Sequence, residues 1–213
     1  MSYIASPHLF HCTIGDRVIC LDVRTDRYFQ LNDPLRGVFL DALSGHAAAG
    51  VSLSRLISAD LLRTHDGPQP QRNFPPTATD SVVETKASAA PSWPNLPEIG
   101  LLTAASMIGV KTTPLHQLLS RARTSLPKRT KTPDLATAAA QFNTTRRLVP
   151  LPRVCLHDSL AMKRFLGRRG FDVVLVFGVA LNPFSAHCWL QAGSTVLNDT
   201  LDRAIRHTPL LAI

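Results

Sequence analysis

Between residues 172 and 199 the chain reads as three strands in succession, and this stretch constrains the fold most. Asp172-Val173-Val174-Leu175-Val176-Phe177-Gly178-Val179 is an almost unbroken apolar run of strand length, as expected of a strand buried on both faces. Asn182-Pro183 marks a turn. Ser185 to Gln191 reads as the next strand and Thr195 to Asp199 as the one after, joined through Ala192-Gly193-Ser194. With Gly193 at the centre of that hairpin, His187 is expected directly opposite Asp199 on one face of the ladder. A register displaced by one residue would put them on opposite faces.

Ahead of these strands, Leu156, Leu160, Ala161, Met162, Phe165 and Leu166 recur at helical spacing. The helix is expected to stop at Gly167 or Gly170, with Lys163, Arg164, Arg168 and Arg169 near its C-terminal end, where the macrodipole favours cations. Cys155 falls at the helix start. A thiol there meets free backbone N–H groups and the positive end of the dipole, which favour the thiolate. The same N–H groups suit an oxyanion. Cys155, His187 and Asp199 thus form a candidate nucleophile, base and orienter. A histidine alone in Ala186-His187-Cys188-Trp189 reads as structural; three residue types in order, each in a suitable element, favour catalysis. His157 and Asp158 share a helical turn with Cys155 and are expected to point away from it. Cys188 faces opposite to His187 and reads as a core thiol.

The 213 residues are 45% apolar and 18% charged, a packed globular composition large enough for two small domains. A net charge of +8 keeps anionic partners open, but the arginines are scattered in pairs and disfavour a nucleic-acid surface. The Lys128-Arg129-Thr130-Lys131 run reads as an exposed turn. Neither a signal peptide nor a membrane-spanning run is evident, so a cytoplasmic protein without membrane attachment is expected. Cys12, Cys20, Cys155 and Cys188 form no CxxC pair and there is no GxxxxGK[ST] stretch, so no metal or other cofactor is expected.

The front third reads as strands over Leu9 to Thr13, Val18 to Val23 and Arg27 to Leu31, with turns at Gly15-Asp16 and Thr25-Asp26. Asn32 or Asp33 is a candidate N-cap, with Pro34 as first helical residue and Gly45 closing the helix. Leu53, Leu56, Ile57, Leu61 and Leu62 outline a second helix. From Gly67 the chain is rich in Pro, Thr, Ala and Ser, with Ser81-Val82-Val83-Glu84 as its one strand-like fragment. Helices are expected over 101–108, 115–119 and 136–145. The expected organisation is a recognition domain at 1–66, a Pro-rich linker at 67–98 and a hydrolase domain at 99–213.

Asp26-Arg27-Tyr28-Phe29-Gln30-Leu31-Asn32, the helix after it and Leu56…Asp60-Leu61-Leu62 resemble the PqqD-like peptide-recognition domain. Cys155 before a helix, Phe184-Ser185-Ala186-His187-Cys188-Trp189 and Asn198-Asp199 resemble the transglutaminase-like cysteine peptidases. Both halves in this order are similar to the lasso-peptide maturation proteases. The resemblance implies an α+β chain: a small winged-helix-like domain, then a transglutaminase- or papain-like domain with an antiparallel sheet. It further implies leader binding along Tyr28, Phe29, Gln30 and Leu31 by strand addition. Cys155, His187 and Asp199 would then cut the leader from a ribosomally made precursor peptide. An ATP-dependent macrolactam synthetase would take the released core. Cys188 departs from the small apolar residue expected at its position. A Cys-His-Asp acyltransferase and a non-catalytic peptide- or nucleic-acid-binding protein are the alternatives.

Overall fold

Turn chemistry shapes the first part of the chain. In the computed structural model, which describes residues 2–46, 49–67, 72–86, 89–123 and 134–213, the chain divides into two compact units, Met1–Asn73 and Phe74–Ile213. In the first, β2 (Leu9–Ile14), β3 (Arg17–Asp22) and β4 (Arg27–Leu31) form an antiparallel meander in that order. Gly15 and Asp26 turn the chain between strands at φ of 58° and 53°, backbone that glycine and aspartate adopt most readily. Pairing runs Leu9 to Asp22 and Val18 to Leu31, so β3 is central and its Val18, Ile19, Cys20 and Leu21 are all buried. Helices α1 (Leu35–Leu43) and α2 (Val51–Ser58) supply Phe39, Ala42, Leu53 and Leu56 to the same core.

Three local readings change. Pro34, not Asn32 or Asp33, is the N-cap of α1, and no side chain caps that helix because the Asp33 carboxylate binds Arg36 instead. The second helix ends at Ser58: Asp60 takes φ 56°, and its carboxylate accepts from Ser6, Arg24 and Arg63. Leu62 consequently opens a strand, β5 (Leu62–His65), which pairs antiparallel with β1 (Ser2–Ala5). Two short strands about sixty residues apart carry no mutual sequence signal.

In the second unit a five-stranded sheet runs β10 (Thr208–Ala212), β7 (Val174–Ala180), β8 (Ser185–Ala192), β9 (Thr195–Val196), β6 (Asp80–Ser81). All neighbours are antiparallel except β6 and β9. The chain is therefore of mixed α+β class with predominantly antiparallel sheets. From Phe74 the Pro-rich stretch is already part of this unit. Ser81-Val82-Val83-Glu84 is not a strand: Ser81 ends β6 and caps α3 (Val82–Thr85), its hydroxyl accepting from the Val83 N–H at 3.1 Å.

Helices α4 (Leu96–Thr112), α5 (Leu115–Arg123), α6 (Leu135–Arg146) and α7 (Cys155–Gly167) follow, with α8 (Leu201–Ile205) before β10. Asp134 caps α6 by accepting the Thr137 N–H at 2.9 Å. Residues 128–131 lie outside the described residues. Helix α7 packs on α4, α6 and β8, burying Leu160, Met162, Phe165 and Leu166 completely. Burial of each such side chain contributes about 1.5–3 kcal/mol, so this helix is firmly seated. No helix among the described residues is long and apolar enough to cross a membrane.

Candidate active site

Cys155 is the first residue of α7, preceded by Val154 in extended conformation at φ −130°, ψ 129°. No side chain caps this helix, so its first-turn N–H groups remain available at the thiol's end. The approach to that end is held by a residue the sequence reading passed over. Arg146, only 2% exposed, lies at the end of α6. Its Nε donates to Asp158 Oδ1 at 2.7 Å, Nη1 to the Val149 carbonyl at 3.2 Å, and Nη2 to those of Leu151 and Pro152 at 3.1 and 2.8 Å. One planar fork thereby ties the loop before Cys155 to the first turn of α7. Asp158 is engaged by this guanidinium. The only hint in sequence was a doubled arginine where an apolar helix ends.

His187 sits in β8, one strand in from β9 and 5% exposed. Gly178 lies opposite it in β7. A Cβ at Gly178 would meet the Trp189 ring and the His207 Cβ at 2.9 Å, so a side chain there would displace the walls of the histidine. Those walls are Trp189, stacked at 6.1 Å between ring centroids, and His207 at 5.2 Å. His207 also went unremarked in the sequence: its Nδ1–H donates to the Arg203 carbonyl at 2.8 Å, and Nε2 lies 3.1 Å from the Ser185 hydroxyl.

The structure brings Cys155, His187 and Asp199 together, but not by the expected register. The ladder pairs Gln191 with Val196 and Ala192 with Thr195, one residue away from a hairpin centred on Gly193. The turn residues are Gly193 and Ser194, with Gly193 at φ 55° as a tight primed turn requires. Continued, that ladder would set Cys188 and not His187 opposite Asp199. It is not continued. After the Leu197 N–H donates to the Leu190 carbonyl at 2.9 Å, the Asn198 side chain takes over: its Oδ1 accepts from the Leu190 N–H at 2.7 Å and its Nδ2 donates to Ser159 Oγ at 2.8 Å. The bend this makes returns the Asp199 carboxylate to His187. Ser81 Oγ donates to the Asp199 carbonyl at 2.6 Å and the Thr200 N–H to its Oδ1 at 2.8 Å, fixing the bend from two further sides.

His187 Nε2 hydrogen-bonds Asp199 Oδ2, which leaves Nδ1 for the sulfur of Cys155. Burial pulls the imidazole pKa down, but the bonds to Asp199 and Cys155 outweigh it and raise it. Burial pushes the Asp199 carboxyl up, and the bonds from His187 and Thr200 with the charge of Arg203 bring it below its usual range. The Cys155 thiol is lowered to about 4, first by a hydrogen bond from the Cys188 thiol, then by His187, against the opposing effect of burial. Burial pushes Cys12 up to about 11 and Cys20 up to about 12, so neither competes as a thiolate. Chemically this is a thiolate–imidazolium pair with an aspartate behind it. Among the described residues no group of three or more His, Cys, Asp or Glu could hold a metal ion.

Cys188 is a core thiol only in part. It is 2% exposed and 4.0 Å from Ser159 Oγ, yet it is the first cause that lowers the Cys155 thiol. Tyr28, Phe29, Gln30 and Leu31 lie in the first unit, on edge strand β4: Leu31 is buried, Tyr28 and Phe29 are half-buried, and Gln30 is exposed, donating to Asn32 Oδ1 at 3.0 Å. At the opposite edge, Arg72 donates to the outward carbonyls of β2, His11 at 2.9 Å and Leu9 at 3.4 Å, and its guanidinium lies 5.7 Å from the Phe10 ring centre.

A cysteine at a helix start and a histidine on the adjoining antiparallel sheet lie inside the part of the chain, residues 101–212, that matches the transglutaminase-like superfamily. This covers more than half of the 213 residues. The chain belongs to the transglutaminase-like superfamily. A 45-residue part of this transglutaminase-like protein is also similar, at 47% identity, to the microcin J25-processing protein McjB of Escherichia coli. That match covers 21% of the chain and spans 22% of the relative's length. No solved structure matches the chain.

Proposed function

We propose that this transglutaminase-like protein is a leader peptidase for a ribosomally made lasso precursor peptide. The observation that carries this reading is Cys155 at the first residue of α7, its thiol lowered to about 4 with His187 among the causes, and His187 held through Nε2 by Asp199. In this reading the thiolate attacks the carbonyl carbon of the peptide bond at the leader–core junction. The first-turn N–H groups of α7 stabilise the oxyanion, and imidazolium His187 gives its proton to the departing core amine. A thioester remains. His187 then takes a proton from water, the hydroxide attacks the thioester, and the leader leaves with a new carboxylate while the thiolate is restored. Asp199 keeps Nε2 occupied throughout, so that Nδ1 points at the sulfur.

Substrate capture belongs to the first unit. An extended leader adds to β4 beside Tyr28, Phe29, Gln30 and Leu31, main chain to main chain. Arg72 supports this choice of edge, because it already occupies carbonyls on the outer side of β2. The similarity to a microcin-processing protein supports the substrate class. The core amine freed by cleavage is the group an ATP-dependent macrolactam synthetase would consume.

Mass spectrometry of a candidate precursor tests the proposal. The protein should convert it to leader and core, and Cys155→Ala should lower the rate at least ~10³-fold while still binding the leader. Equal processing by Cys155→Ala overturns the peptidase.

A further inference from the structure

Catalysis as proposed uses one sulfur, yet a second lies against the same helix. Cys188 follows His187 on β8, and side chains alternate along a strand, so the histidine and the thiol leave the sheet on opposite faces. The Cys188 face is the one covered by α7: its sulfur is 4.0 Å from Ser159 Oγ, and Ser159 lies one helical turn beyond Cys155 on the same side of that helix, which makes the two cysteines neighbours. Ser159 is itself fixed by Asn198 Nδ2 at 2.8 Å, so Cys188 packs against an anchored neighbour. A methyl group would fill this position without placing a second oxidisable atom beside a nucleophile. Cys155 is half-buried and Cys188 buried, so solvent-borne reagents meet Cys155 first.

We propose that Cys188 is a resolving thiol: after a hydroperoxide oxidises Cys155, Cys188 captures the oxidised sulfur as a Cys155–Cys188 disulfide. The inference rests on Cys155 being the reactive thiol. In the first step the Cys155 thiolate attacks the peroxide. A sulfur–oxygen bond forms, the oxygen–oxygen bond breaks, and the departing oxygen leaves as hydroxide or alkoxide and takes up a proton. Sulfur loses two electrons and the peroxide gains them, leaving a sulfenic acid. In the second step the Cys188 sulfur attacks that of Cys155. The sulfur–sulfur bond forms, the sulfur–oxygen bond breaks, and water carries off the thiol proton.

Formation of the sulfenic acid itself prepares Cys188 for this step. While Cys155 is a thiolate, its hydrogen bond to Cys188 is the largest influence raising the Cys188 pKa, with burial second. Once Cys155 is neutral, that influence is gone. The disulfide takes the nucleophile out of reach of His187 and keeps it from further, irreversible oxidation; a dithiol reductant returns both thiols.

The test is run on the full chain without any substrate. Hydrogen peroxide is added, free thiols are blocked, and the peptides are mapped by mass spectrometry, with iodoacetamide labelling of Cys155 before and after dithiothreitol. The wild type should yield a Cys155–Cys188 cross-linked peptide and recover its labelling with dithiothreitol. Cys188→Ala and Cys188→Ser should carry Cys155 on to sulfinic and sulfonic acid and recover about tenfold less labelling. Peroxide-treated wild type whose labelled Cys155 ends as sulfinic acid with no cross-link overturns the resolving role alone. So do Cys188 variants that recover as fully as the wild type. A wild-type Cys155 that iodoacetamide never labels in the folded protein overturns the nucleophile, and the resolving role with it.

Discussion

At the scale of single residues, the proposed chemistry rests on two opposed shifts. The Cys155 thiol is lowered to about 4 and the His187 imidazole is raised. Between those two pKa values the thiolate and the imidazolium coexist. As pH falls through about 4 the thiolate is protonated, and as pH rises through the raised histidine value the proton for the leaving amine is lost. Cleavage plotted against pH is therefore expected to be bell-shaped, with its acid limb near 4. Asp199→Asn removes the charge that raises the histidine, so its alkaline limb should move to lower pH, with turnover reduced on the order of 10³–10⁴-fold. An alkaline limb that does not move in that variant would show that another group sets it. The three residue types, their order and the helix start at Cys155 were legible in the sequence, because each follows from local spacing. The packing of Cys188 against α7 was not: alternation along β8 showed that Cys188 faces away from His187, but not what covers that face.

At the scale of elements, the nucleophile's helix is placed by what precedes it. Arg146 is buried with a carboxylate and three carbonyls as its acceptors. Arg146→Ala would leave Asp158 without its buried partner, and thermal unfolding should show a loss of about 3–5 kcal/mol. Arg146→Lys keeps the charge but replaces a planar fork with one ammonium that cannot span these acceptors, so about 1–3 kcal/mol should still be lost. Two variants as stable as the wild type would mean that the loop before Cys155 is held by something else. The types of α3, α8 and β10, which are short or carry little periodic signal, were not readable from periodicity, but strand and helix types between α4 and β8 were. Their ends were not, because they depend on side chains from distant segments. Asn198 ends the β8–β9 ladder by taking the Leu190 N–H, and Asp60 ends α2 with ligands from Ser6, Arg24 and Arg63.

At the scale of the whole molecule, the chain falls into two compact units, residues 1–73 and 74–213, and the proposed recognition and chemistry are assigned one to each. In the proposed function this separates the substrate's address from its cleavage. A short peptide spanning only the junction should then be cut with KM raised about tenfold or more and kcat little changed, because the missing leader contributes binding that is equal in ground and transition states. Steady-state kinetics on precursor and junction peptide would show it, and equal kcat/KM for the two would remove any role for the first unit in cleavage.

The sequence by itself determined what local physics dictates: an α+β chain, a thiol at a helix start, a buried apolar strand and the glycine turns. It also carried the family resemblance of its last part, since residue types at fixed spacing survive without coordinates. How Asp199 reaches His187 depends on contacts between distant segments. A strict ladder, in the register that Gly193 and Ser194 impose, would carry the carboxylate past the imidazole. The triad closes because Asn198 and Ser81, neither visible as a partner in sequence, bend the chain out of that ladder. Side-chain hydrogen bonds between distant segments leave no periodic trace, and that is where the sequence reading stopped.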